Sequence, residues 1–291
     1  MSAAPDTDSI RGFLTSRRAR LGPREVGLVA SRTPRRVPGL RREEVAMLAG
    51  VSVEYYTRIE RGSLQGVSDA VLEAIARALQ LDADERGYLF DLADAVNAPG
   101  RVVPAPQAAV LRPSVRGVLA AITEAPAFVR DHRRDVLAAN PLGRALYAQM
   151  YDGPALGADG TSVNTARFIF LDPRARRFYA GWDSAAHNTV AILRAATGEH
   201  PRDAALTALI EDLSQRSALF RELWSRHDVR HHYQGRKHYH HPVVGEIELQ
   251  YETMALAPDD GLSLAVYPAL PGSAGQEALR RLAQLVPAGA A

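Results

Sequence analysis

Between Arg41 and Gly62 the chain reads RREEVAMLAGVSVEYYTRIERG, two short helical patterns joined at Gly50. The second pattern is bracketed by Gly50 and Gly62 and opens on Ser52, whose hydroxyl can accept a free backbone N–H of the first turn. Val51, Tyr55, Tyr56 and Ile59 are its apolar or aromatic marks, with Glu54, Thr57, Arg58 and Arg61 set between them. Two helices joined by a glycine turn, the second capped and polar-faced, form a helix-turn-helix. The second helix of such a unit fits the major groove of B-DNA and reaches base edges with its N-terminal side chains. Helical hairpins with a glycine turn are common, so this geometry alone does not decide for DNA.

The surrounding pattern is helical up to about Val96. Ser9 to Leu21 forms a first helix ended by Gly22-Pro23. A loop runs from Pro23 to Leu40, and Arg41 to Ala49 forms a second helix with Val45, Ala46, Leu48 and Ala49 turned inward. Ser68 is expected to cap a fourth helix and Asp82 a fifth. From Ser9 to Gly62 there are 12 Arg against 5 Glu, a balance of +7 in a chain whose net charge is +2. A basic segment on an acidic body points to a polyanion partner for the first part alone. Lysine occurs once, at Lys237, so arginine abundance is itself weak evidence.

Asn97 to Pro113, with four prolines and a glycine, predicts a linker. Beyond it the pattern is mixed. AFVRDHRRDVLAANP reads as strand, turn and strand, and EIELQYETMAL alternates as a half-buried strand does. NTARFIFLD fits a strand or a helix, while Ser184–Thr197 and Arg202–His227 read as two helices. The fold class expected is multidomain. An all-α helix-turn-helix domain (1–98) and a linker (99–113) precede an α+β domain (114–291). Absence of cysteine excludes disulfides and thiolate metal sites. No apolar run reaches the length of a membrane span and no signal-peptide pattern opens the sequence, so the expectation is a cytoplasmic protein with no membrane partner.

Arg42, Ala46, Gly50, Val51, Ser52, Ile59, Glu60 and Gly62 match the signature of the XRE-type, or lambda-repressor-like, helix-turn-helix regulators, which this segment resembles. The loop from Pro23 to Leu40 is longer than usual there. RRVPGLRREEVAMLAGVS is similar to actinobacterial regulators that join this domain to an MmyB-type ligand-binding domain, and DVLAANPLGRALY, FLDPRARRFYAGW and HPVVGEIELQYE resemble parts of that second domain. The resemblance covers roughly Ile10 to Leu270 and implies a five-helix DNA-binding domain, a PAS-like second domain, a homodimer, double-stranded operator DNA, and a small apolar or fatty-acid-like ligand. Repression is the mode it favours. It also implies that Arg18 of the first helix pairs with Glu60.

By position, Ser52, Val53, Glu54, Tyr55 and Arg58 are candidates for base reading, and Arg42, Arg35 and Arg36 for phosphate contact. Glu54 suits a cytosine amine, Arg58 a guanine, and Val53 a thymine methyl. Tyr56 falls on a packed position. For the ligand, the aromatic candidates are Phe128, Phe168, Tyr179, Trp182 and Tyr251, although the more economical reading is that most such aromatics are core. Arg130, Asn140 and Arg177 are candidates to orient it, although an Asn before Pro is as easily a turn residue. Six of the nine histidines lie between His227 and His241, which invites a metal or haem reading. Their spacing matches no ligand motif, and the bland alternative is a basic surface strand. An enzyme is the rival from another class, but no nucleophile elbow, P-loop or dinucleotide glycine pattern occurs. The expectation is a non-enzymatic, ligand-controlled DNA-binding regulator without a certain cofactor.

Overall fold

The computed structural model describes residues 7–28, 39–97, 111–155, 163–230, 233–257, 259 and 261–286. It divides into two compact units. The first comprises Met1–Val103, Arg194–Ala204 and Glu222–His231, and the second Pro104–Leu193, Ala205–Arg221 and His232–Ala291. The loop arginines Arg32, Arg35 and Arg36 and most of the proline-rich linker lie outside the described residues, as do His231 and His232.

The first unit opens with five helices: α1 (Thr7–Arg20), α2 (Arg42–Ala49), α3 (Val53–Glu60), α4 (Asp69–Ala78) and α5 (Ala83–Asn97). Gly50 ends α2 in the left-handed conformation at φ 67°, which only glycine adopts without strain, and its N–H bonds back to Ala46 and Met47. Ser52 then caps α3 by accepting from Tyr55 N at 3.1 Å. Asp82 caps α5 through Glu85 N at 2.9 Å, and the Glu85 carboxylate returns to Asp82 N at 3.2 Å, a capping box. Ser68 stands at the N-cap of α4 by backbone geometry, with no side-chain bond to the helix.

Ile10, Phe13, Leu14, Val45, Ala46, Tyr56, Ile59, Leu72, Ile75 and Leu89 form the core of this unit, together with Ala195 and Val229 from far along the chain. Leu48 does not join them. It is exposed, because Val45, Ala46 and Ala49 define the buried stripe of α2 and position 48 lies about 100° of helical rotation away from its centre. Arg17, nearly without solvent exposure, reaches Glu85 at 2.7 Å and donates to the His227 carbonyl at 2.6 Å. The His227 ring lies flush against α1 at Gly12, where an added Cβ would come within 2.1 Å of it.

The second unit contains a six-stranded antiparallel sheet in the order β3-β2-β1-β6-β5-β4. The chain runs α6 (Pro113–Ala121), β1 (Ala127–Asp131), β2 (Asp135–Ala139), α7 (Pro141–Leu146) and a 3₁₀ turn at 148–152. It continues with β3 (Val163–Asn164), α8 (Thr165–Leu171), α9 (Arg174–Phe178), α10 (Trp182–Glu199), α11 (Ala204–Arg216) and α12 (Ala218–Trp224). It closes with β4 (Gln234–His241), β5 (Gly245–Ala255), β6 (Leu262–Val266) and α13 (Ala274–Gln284). NTARFIFLD thus resolves mostly as a helix, because the Asn164 side chain accepts from Ala166 N and Arg167 N and starts α8 immediately after two strand residues. The stretch from Arg202 to His227 is broken rather than continuous: the Ser217 hydroxyl accepts from Phe220 N at 3.2 Å and starts a new helix.

Two irregularities shape β1 and its turn. The β1–β2 register slips between Val129 and Arg130, a bulge of the kind that re-aims side chains. Arg134, in the turn that follows, has φ 75°, an uncommon and costly state for arginine.

In the first unit, burial and then the positive charges of Arg194 and Arg17 push the His227 imidazole down to about 4. An unfolded histidine titrates near 6.5. Between those values the unfolded chain binds the proton more tightly, so the neutral ring contributes stability that is present above about pH 6.5 and lost as pH falls through about 4. Because the ring is partly exposed and solvent screens it, the loss should be on the order of 1–2 kcal/mol. Denaturant titrations between pH 7.5 and 3.5 should show this fall in the native chain, and His227→Gln should flatten it.

Candidate functional site

Glu60, at the end of α3, is 1% exposed and gathers three donors. Arg18 Nε donates to it at 2.9 Å, with Nη2 at 2.8 Å, and Thr15 donates at 3.1 Å. Arg42 donates to its other oxygen. Arg18 also donates to the Leu40 carbonyl at 2.8 Å. One carboxylate therefore ties α1, the start of α2 and the end of α3. Tyr56 is fully buried on the same face, where burial and the nearby Glu60 raise its phenol.

The other face of α3 is open. Ser52, Val53, Glu54 and Arg58 are exposed, and Arg58 lies over the Tyr55 ring at 4.9 Å, which preorients its guanidinium. These are the residues singled out for base reading, and they share one surface. Arg42 is less free than its position suggested. Its side chain is 45% exposed, but its Nε is held by Glu60, leaving the rest of the guanidinium to face outward.

The second unit holds a cavity of about 650 Å³ between the sheet and its helices. Arg130 of β1, Arg134 of the turn, Lys237 of β4 and Tyr251 of β5 form its sheet side. Tyr147, Thr165 and Ile169 close it, with Ala185, Asn188 and Ile192 of α10. Tyr267 is buried beside it and accepts from the Lys237 ammonium at 3.4 Å. A hydroxyl chain runs from Tyr179 to Tyr147 at 3.3 Å and on to Tyr239 at 3.0 Å. Burial would raise the Tyr267 phenol, but Arg130, Lys237 and Arg134 outweigh it and hold it at about 7. Burial, and then the charge of Arg130, lower Arg134 to about 10. Lys237 is lowered by burial, Arg130 and Arg134 against the opposing pull of Tyr267.

Of the sequence candidates for the ligand, Arg130, Tyr179 and Tyr251 line this cavity. The others sit elsewhere. Phe128 and Phe168 are buried core aromatics. Asn140 caps α7 through Gly143 N at 2.7 Å and accepts from Ala127 N at 3.0 Å while donating to Ile122 and Ala125 carbonyls, a fully used structural amide. Arg177 is exposed on α9, and the Trp182 indole donates to the Ile169 carbonyl at 3.1 Å under the Arg176 guanidinium.

Residues 111–282 match the MmyB-like transcription regulator ligand binding domain, and residues 11–89 match a helix-turn-helix domain. The chain belongs to the MmyB-like transcription regulators. Membership makes this a ligand-regulated DNA-binding protein, with the helix-turn-helix on α2 and α3 and the small-molecule function in the region that holds the cavity. No curated protein matches the regulator's sequence. No helix among its described residues is long and apolar enough to cross a membrane.

Arg134, Lys237, Tyr147 and the α10 wall were missed from sequence. A signal existed for Lys237. It is the single lysine of the chain and shares the inward alternation of Tyr239 and His241 on β4. His238 and His240 take the opposite, outward face, against Glu248 at 3.1 Å and Glu246 at 3.7 Å. Among the described residues no group of three metal-ligating side chains assembles.

Removing Glu60 strands a buried guanidinium, which typically costs 3–5 kcal/mol. Glu60→Ala should lose stability of that order in urea, whereas Arg42→Ala, at a half-exposed partner, should lose about 1 kcal/mol or less.

Proposed function

We propose that this regulator reads operator DNA with the exposed face of α3, as a homodimer, and that a small amphiphilic, fatty-acid-like molecule in the cavity of the second unit sets its operator affinity, acting as a repressor in the cytoplasm. The observation that carries the reading is the cavity itself. It is large enough for a small organic ligand, and cations, tyrosine hydroxyls and the apolar Ile169, Ala185 and Ile192 all line it. An anchored head with an apolar chain suits that wall better than a wholly apolar molecule. The antiparallel sheet with the cavity on its helical side supports the PAS-like likeness of this domain.

On the DNA side, Glu54 and Arg58 would discriminate bases, with Ser52, Val53 and Tyr55 beside them; the exposure of Glu54 and Arg58 on α3 supports this. Arg42, and the loop arginines Arg35 and Arg36, would add phosphate contact. A dimer would present two α3 helices to half-sites about one DNA turn, roughly 34 Å, apart. A ligand changes operator affinity only through unequal affinity for the competent and incompetent states, so the effector has to alter the placement of one reading helix relative to its mate.

Two measurements on the full chain test this reading. In selection from random DNA, Glu54→Ala should relax preference at one base pair per half-site by about 1–3 kcal/mol, with the other positions unchanged. In operator titrations, a ten-carbon amphiphile should shift the midpoint of the native regulator. Ala185→Trp, which fills the cavity from α10, should bind operator normally and fail to respond. An unaltered response in the filled variant would place the effector site elsewhere.

A further inference from the structure

The cavity gathers positive charge that no carboxylate among the described residues pairs with. Arg130 is 4% exposed, lines the cavity and has an Nε without a hydrogen-bond partner. Arg134 lines it too, also with an unpartnered Nε, and stands in a left-handed conformation that costs backbone energy. Lys237 completes the set, its ammonium 5.1 Å from the centres of both the Tyr251 and the Tyr267 rings. Glu248 is the carboxylate at the wall, and it is engaged at the rim by Arg236 at 3.4 Å and His238 at 3.1 Å.

Burying a cation without an anion costs several kcal/mol. Arg134 and Lys237 are only partly buried, but their repulsion of Arg130 and of each other adds to that cost, as does the strained turn that brings in Arg134. Such an arrangement persists where a ligand supplies the missing charge. From these contacts we propose that the cavity is an anion receptor, in which Arg130, Arg134 and Lys237 seat a doubly charged acidic head, a phosphate monoester or a pair of carboxylates, with the rest of the ligand against Ile169 and Ile192. This rests on the reading of the cavity as the effector site.

The charge count selects a dianion over a monoanion. The Tyr267 phenol, held at about 7, offsets at most one of the three cations, so a positive surplus remains that a dianion matches better than a monoanion. The groups facing Tyr267 are Arg130 on β1, Arg134 in the turn, Lys237 on β4, and the phenols of Tyr147, Tyr179, Tyr239 and Tyr251. The phenols are all held neutral by burial, so none offsets that surplus. The rival arrangement is structural, with the Lys237 ammonium satisfied by the faces of Tyr251 and Tyr267 alone. The two differ in what removing the lysine does to the unliganded protein.

The test is calorimetric titration of the full-length regulator at pH 8 with four probes sharing a decyl chain: decyl phosphate, decylmalonate, decanoate and decanol. The two dianions should bind at least tenfold more tightly than decanoate, and decanoate more tightly than decanol. The better of the two dianions names the head. Lys237→Met and Arg134→Gln should each cut dianion affinity at least tenfold, leave decanol binding unchanged, and leave the melting temperature of the unliganded protein equal or raised, since a repelling charge is gone. Decanol binding as tightly as the acids would overturn the anion receptor while leaving the cavity an effector site. Undiminished dianion affinity in both variants, with a lowered melting temperature, would assign the cations a structural role and overturn it as well. Binding of none of the four probes would overturn both the receptor and the effector reading of the cavity.

Discussion

A charge taken out of water needs a partner, and the two units of this regulator meet that demand in opposite ways. In the first, Glu60 is buried and receives Arg18, Arg42 and Thr15. In the second, Arg130, Arg134 and Lys237 are brought together around the phenol of Tyr267. The closed network fixes three helices to one another. The open one holds cations that no carboxylate among the described residues pairs with. Structure is built on the first kind of arrangement and recognition on the second, because a group already satisfied within the protein has little left to offer a ligand.

The Glu60 network also explains the division of labour along α3. Tyr56, Ile59 and Glu60 face inward and anchor the helix, which frees Ser52, Val53, Glu54 and Arg58 on the opposite surface. Eight residues make just over two turns, too few for a stable isolated helix. Packing and the carboxylate hold what propensity cannot, so a polar surface can be displayed without the helix depending on it.

In the second unit the sheet is the organiser. Antiparallel pairing puts Lys237 opposite Leu249 and Tyr239 opposite Ile247, so alternate residues of β4 turn toward the helices. The register slip in β1–β2 and the left-handed Arg134 add two cations from the β1–β2 hairpin, which β5 and β6 separate from β4 in the sheet. Asn140 holds that hairpin against the residues before β1 by spending all its amide bonds there. Its part in the cavity is thus indirect, through the backbone it positions.

The sequence by itself determined the local architecture wherever a short-range rule sufficed. Gly50 and Ser52 fix the turn and cap of the helix-turn-helix, because a left-handed glycine and a capping hydroxyl act within a few residues. The exposed face of α3 follows from helical period alone. The Arg18–Glu60 contact, 42 residues apart in the chain, came instead through a family resemblance. Where the deciding contact was tertiary, sequence reading stopped short. Leu48 is apolar and yet exposed, because which stripe of α2 is buried depends on the helices packed against it. Phe128, Phe168 and Trp182 have the chemistry of a pocket wall as much as of a core, and only the packing places the two phenylalanines in the core and ties the Trp182 indole to the Ile169 carbonyl. Arg134, inconspicuous in a run of charged residues, reaches the cavity only because a turn conformation and a strand register place it there. Composition shows which charges a chain possesses, but the cost of burying them, and so their use, is set by the neighbours that folding supplies.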